Sequence, residues 1–231
     1  MADSKSAPAE FAGFVPETLK FLRALGFHQT REFFEENRDL YLSALKQPME
    51  AYVVALSLAC AARGLDLRGD PKKAVFRQHR DTRFSKNKQP FKTNGGCVVS
   101  RTGAKGAPGI VYTHVDPEGC WFAAGFRSPE PEWLLPLRRA IAAKPAAFLA
   151  MEKKLAAAGL SVSRRDTLTR NPREFADADE RIAHAIRLKS FIVRKPFADE
   201  LLLDGPALVT AAADFARDVY PLLKYGWSVL D

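Results

Sequence analysis

Between Arg77 and Thr93 the chain reads RQHRDTRFSKNKQPFKT, which sets Arg77, Arg80, Arg83, Lys86, Lys88 and Lys92 around a single carboxylate, Asp81. His79 adds a titratable seventh group. Arg offers a planar fork for bidentate contact with phosphate or carboxylate, and Lys offers a point charge. Ser85, Thr93 and Asn94 supply hydroxyl and amide groups of the kind that line anion sites. Asp81 has three available roles: orienting Arg80 or Arg83, acting as a general base, or helping to hold a metal. Arginine neighbours lower a carboxyl pKa, which suits a residue that holds arginines and makes a poor general acid near neutral pH. The expected site is therefore an anion pocket built from Arg77, Arg80, Arg83, Ser85, Lys86, Lys88, Lys92 and Thr93. Asp81 is its best catalytic candidate, and His114 and Glu32 are secondary ones.

The charge is concentrated there. The chain carries 35 Lys/Arg against 27 Asp/Glu, a net +8. From Lys72 to Lys105 ten Lys/Arg face Asp81 alone, a net of +9, so the remaining 25 basic and 26 acidic residues sum to −1. One local field on a near-neutral body can focus an anionic ligand. The expected partner is a phosphorylated or carboxylated small molecule. A second reading is nucleic acid, because Phe84 and Phe91 interleave with the cations as on a stacking, backbone-tracking surface. Against it, no recognition helix, RNP motif or zinc finger is visible, and the two rings serve equally well as anchors of the segment to the core. A third reading is structural, with the loop arginines paired to helix acids such as Glu32 and Glu35.

Other chemistry finds little support. GxxxxGKS/T, GxSxG, HExxH and Cys–His nucleophile patterns are absent. Two His-x-Asp pairs, His79/Asp81 and His114/Asp116, could converge as four metal ligands only if both lay on paired strands, and Asp116-Pro117 reads as a turn. No metal or cofactor is expected. Cys60, Cys97 and Cys120 are widely spaced, which fits a reducing compartment better than a disulfide framework. The N-terminal segment has no signal-type apolar core, and the longest apolar run, Ala51 to Ala62, is shorter than the roughly 20 residues a spanning helix needs. A cytoplasmic protein without a membrane partner is the expectation; the sequence does not set the oligomeric state.

The elements that must position these residues follow from punctuation and period. Residues 1–10 are small and polar and read as a flexible tail. Pro16 opens a helix with Leu19, Leu22 and Leu25 on one stripe and Gly26 as its stop. Thr30 reads as the N-cap of a second helix through Leu45, with Glu32, Glu35 and Glu36 early, where the helix dipole favours them. Pro48 reads as the start of a third, ended by Gly64. AVFRQHR reads as a strand leading into the basic loop. GGCVVS, GIVYTHV and CWFAAGF are short runs rich in β-branched and aromatic residues, separated by Gly/Pro/Asp breaks, so they read as an antiparallel meander. Helices return from Glu130, with Pro145 opening one that runs to Gly159. LSVSRRD and SFIVR could be strands. Gly205-Pro206 opens a closing amphipathic helix that Pro221 bends or breaks. The sum is one α+β domain over residues 11–231. Its mainly antiparallel sheet, a meander around residues 74–127, is packed by N-terminal and C-terminal helices.

The order of motifs FAGFVPETLKFLRALG, TREFFEENRDLY, FRQHRDTRFSKNKQPFKTN and IVYTHVDPEGCWFAAGFRSPEPEWLLPLRRAI resembles the DUF2461 family, from about Phe11 through the last helix. The most specific part, RDTRFSKNKQPFKT, is similar to that family's R-D-x-R-F-S-K-D-K-x-P-Y-K-T. Asn87 stands where the family often has Asp, so no carboxylate pair with Asp81 forms here, and Phe91 stands where it often has Tyr. His79 falls where the pattern varies, and LTRNPREF matches only loosely. The resemblance implies a compact α+β domain, typically bacterial or fungal, and brings no established activity.

Overall fold

The computed structural model describes residues 11–83, 86–127 and 130–231. The expected tail 1–10, and Phe84 and Ser85 of the basic segment, lie outside the described residues. Helix α1 (Pro16–Phe27) buries Phe21, Leu22 and Leu25 as its spacing requires. Gly26 does not stop it. The end is instead closed by Gln29, whose amide donates to the Leu25 carbonyl (2.6 Å). Thr30 caps α2 (Arg31–Glu36), its hydroxyl accepting from the Phe33 N–H at 3.2 Å.

Pro48 stands in the first turn of the third expected helix, but that helix follows the preceding one without a break. Asn37 interrupts the chain after α2; α3 (Arg38–Tyr41) then passes through a π-helical segment, Leu42–Lys46, into α4 (Gln47–Ala62). Pro48 has no N–H to give the carbonyl four residues back, Ala44. That carbonyl accepts instead from the fully buried hydroxyl of Thr18 on α1, at 2.6 Å. Gly64, at φ +68°, ends α4 in a Schellman arrangement, with Leu65 N–H on Cys60 O and Gly64 N–H on Ala61 O.

After the short α5 (Pro71–Ala74) come β1 (Gly95–Ser100), β2 (Ile110–Val115) and β3 (Cys120–Phe126), an antiparallel meander as expected. Helices α6 (Pro131–Ala143), α7 (Pro145–Ala157) and α8 (Ala183–Ile186) follow. Then β4 (Phe191–Phe197) pairs with β3, making SFIVR the fourth strand of the sheet. AVFRQHR is not a regular strand. It touches β1 only through Val75 opposite Cys97 and the Phe76 N–H on Gly96 O (2.9 Å). From Gln78 onward it turns to pair with its own return at residues 90–92. LSVSRRD likewise reaches β4 only through Val162 opposite Val193 and Ser163 N–H on Ile192 O (2.7 Å).

Alternation then gives the sheet two different faces. Val111, Thr113 and Val115 on β2, Phe122, Ala124 and Phe126 on β3 and Val193 on β4 are buried against the helices. Helix α4 lies under β1, and α9 (Gly205–Leu230) lies under β3 and packs on α4, α6 and α7. Tyr52 of α4 shares a hydrogen bond of 2.9 Å with Thr113, and Phe215 of α9 stacks on Phe122 at 5.7 Å. Pro221 leaves α9 unbroken, its neighbours Val219, Leu222 and Leu223 all buried in this contact. The core is one connected cluster. Among the described residues no helix is long and apolar enough to cross a membrane.

Candidate anion-binding hairpin and sheet face

The basic segment is an irregular hairpin, closed by Lys92 N–H on Gln78 O (2.9 Å) and Arg80 N–H on Pro90 O (2.7 Å). Buried Gln78 adds its side-chain amide to the carbonyls of Lys92 and Asn94. Phe91 is 1% exposed and lies flat on Phe34 of α2 (4.5 Å, 10°), while its N–H donates to Gln29 Oε1 at 3.0 Å. It is therefore an anchor to the core, and no base can stack on it. His79 packs edge-on against Phe34 and Phe91, with no counterpart of a metal site around it.

The predicted site residues divide into two groups. At the tip, Arg83 holds Asp81 in a two-pronged ion pair (3.1 and 2.8 Å), with its own N–H on the same carboxylate. This keeps the Asp81 carboxyl below its usual range, as the sequence suggests for an orienting residue. Lys88 donates to Thr82 O (2.9 Å), and Lys86 is exposed. At the foot, Lys92 and Lys105 stand over the Phe76 ring at 5.4 and 5.2 Å. Burial lowers the Lys92 pKa, and the charges of Arg77, Arg80 and Lys105 lower it further. Arg80 gives Nη2 to Phe91 O (3.3 Å), while its buried Nε has no partner among the described residues. Thr93 lies beside Gly26, where a Cβ would stand 3.6 Å from its methyl. Glu32 sits in the first turn of α2, and Glu35 pairs with Arg38 at 3.2 Å.

Phe76 joins the hairpin foot to the sheet face turned away from the helices, on which Val98, Ser100 and Ala123 are themselves buried. Its ring meets Tyr112 edge-on at 5.8 Å. Tyr112 lies over Gly96, where any side chain would collide with the phenol ring. Across the strands, Trp121 stacks on His114 (4.3 Å, 22°), and the Arg194 guanidinium lies 3.8 Å from the Trp121 ring centre. β2 flanks β3 on one side and β4 on the other, so His114 and Arg194 hold Trp121 between them. The Tyr112 hydroxyl is 2.9 Å from His114 Nδ1, and His114 Nε2 is 3.4 Å from Asp116. A neutral imidazole protonated at Nε2 satisfies both contacts, in keeping with burial lowering the His114 pKa. Lys105 and Arg194, with the rings of Phe76, Tyr112 and Trp121, were not among the predicted site residues. The available signal was the period-two placement of Tyr112 and His114 on one face of β2.

His114 and Asp116 meet each other but not His79 and Asp81, so the four-ligand arrangement does not form. Among the described residues no three His, Cys, Asp or Glu side chains gather as a metal site. A groove of about 510 Å³ beside α7 is lined by Glu152, Ser161, Ser163, Arg164 and Arg165, none of them a predicted site residue. Its carboxylate is already paired with His184 at 2.9 Å.

Residues 17–225 match the family described as "Conserved hypothetical protein (DUF2461)". The chain belongs to the DUF2461 family. The match spans both the basic hairpin and the β meander, so the two halves of the candidate site lie within the DUF2461 region. No curated protein and no solved structure matches the chain.

Proposed function

We propose that the protein binds an anionic ligand, phosphorylated or carboxylated, at the foot of the basic hairpin. The observation that carries this reading is the group Arg77, Arg80, Lys92 and Lys105. Burial lowers the Lys92 pKa and the charges of Arg77, Arg80 and Lys105 lower it further, and none of the four makes an ion pair among the described residues. Like charges held together on a near-neutral body oppose folding, and an anion placed among them removes that repulsion. The Arg80 Nε, without a partner among the described residues, is a further donor in the same region. Asp81 belongs to the tip, where it neutralises Arg83, and its role in this reading is to hold that arginine.

The test is thermal unfolding with inorganic pyrophosphate or citrate at low salt. A ligand that binds only the folded chain raises Tm with concentration. The expected result is a rise that is lost in the double variant Lys92→Ala/Lys105→Ala and kept in Asp81→Asn. No stabilisation of the wild-type chain by either anion would overturn the reading.

A further inference from the structure

The sheet face turned away from the helices carries more than charge. Phe76, Tyr112, Trp121 and Arg194 form one row that begins beside β1 and ends on β4, its two ends capped by cations: Lys92 and Lys105 over Phe76, and Arg194 over Trp121. The register puts the sheet members on one face, since His114 pairs with Trp121, Tyr112 with Ala123, and Ala123 with Arg194. Its steps are 5.8 Å from Phe76 to Tyr112, 5.2 Å from Tyr112 to Trp121 and 3.8 Å from Trp121 to the Arg194 guanidinium, so the row is at most about 15 Å long. That is too wide for one small anion and spans several phosphates of a nucleic-acid strand. The one carboxylate at the row, Asp116, is occupied by His114 and by the Glu118 N–H. Burial lowers the Arg194 pKa and the neighbouring charge of Arg165 lowers it further.

We infer that the sheet face is a binding platform for single-stranded nucleic acid. Its phosphates follow the cations gathered over Phe76 at the hairpin foot and Arg194 at the other end, and its bases stack on Tyr112 and the outer plane of the Arg194 guanidinium. Rings and guanidinium planes displayed on a sheet accept unstacked bases of any sequence, whereas a duplex keeps its base faces buried. The inference rests on the anion-binding reading, because the cations of the hairpin foot supply the phosphate contacts. It moves the aromatic part of the site from Phe91, which is buried, to strands that the charge count never touched.

The experiment is fluorescence anisotropy of three labelled probes against the full chain: a mixed-sequence single-stranded 15-mer, its duplex, and an abasic strand of the same length. The single strand is expected to bind best. With about four phosphate contacts its affinity should fall about 50-fold between 50 and 200 mM salt. Tyr112→Leu and Arg194→Gln should each weaken it about tenfold or more. Both variants should leave pyrophosphate stabilisation intact and, by circular dichroism, remain folded. Equal binding of the abasic strand, or tighter binding of the duplex, would overturn the platform and leave anion binding standing. Loss of pyrophosphate stabilisation together with the absence of any strand binding would overturn both.

Discussion

At the scale of single residues, Lys92 and Asp81 carry opposite dependences on pH. The Lys92 pKa is lower in the folded chain than in the unfolded one, first by burial and then by its cationic neighbours. The unfolded chain therefore binds more protons between those two values, and stability rises with pH through that alkaline window. Below it the protonated ammonium opposes folding. Lys92→Met is accordingly expected to raise Tm at neutral pH, to flatten the alkaline rise, and to weaken pyrophosphate binding. A lysine held for stability would give the opposite Tm shift. Asp81 has the reverse sign. Its carboxyl is held low by Arg83, so the pair contributes above the ordinary carboxylate range and is lost as pH falls through the lowered value. Being exposed, the pair adds little. Asp81→Asn should leave Tm nearly unchanged and tighten pyrophosphate binding, since it removes the one negative charge of the segment; a titration that weakens instead would restore a direct role to this carboxylate.

At the scale of elements, the hairpin is held by one ring. Phe91 lies on Phe34 and gives its N–H to Gln29, fixing the return strand to α1 and α2. Phe91→Ala is expected to cost about 3–5 kcal/mol as a buried aromatic truncation, read by denaturant unfolding. Anion binding should fall with it, because Lys92 follows directly. A second element-scale test lies at Pro48. Thr18→Val leaves the Ala44 carbonyl without its donor and should cost about 1–3 kcal/mol. In a Pro48→Ala background, where a backbone N–H is restored, the same change should cost less; equal costs in the two backgrounds would show that the Thr18 bond does not serve the proline.

These elements also mark how far the sequence could be read. Pro16, Pro145 and Gly64 announce ends that local chemistry decides, and the aromatic, β-branched runs announce β1 to β3. Pro48 marks the first turn of α4 but not the unbroken path into it, because the donor it lacks is replaced by Thr18, 30 residues earlier in the chain and close only after folding. The basic segment was legible because its cations lie close together in sequence, whereas its pairing into a hairpin was not. The row from Phe76 through Tyr112 and Trp121 to Arg194 was not, since it exists only through strand register, and Arg194 counts within the near-neutral remainder.

At the scale of the whole molecule, helices occupy one side of a four-stranded sheet and the candidate site the other. In the proposed reading binding and stability fall on opposite faces of the same strands: Thr113 binds Tyr52 inward while Tyr112 and His114 turn outward. Substitution on the outer face should therefore alter binding with small changes in Tm. Both lateral margins of the sheet are meanwhile occupied by irregular chain, Val75–Phe76 along β1 and Val162–Ser163 along β4. Neither outermost strand presents a full row of vacant N–H and C=O groups, which is the template for strand recruitment between molecules. The protein is consequently guarded against edge-to-edge aggregation even though its sheet is open. Ser163→Pro removes the N–H that binds Ile192 O, and light scattering during storage should then reveal self-association that the wild-type chain resists.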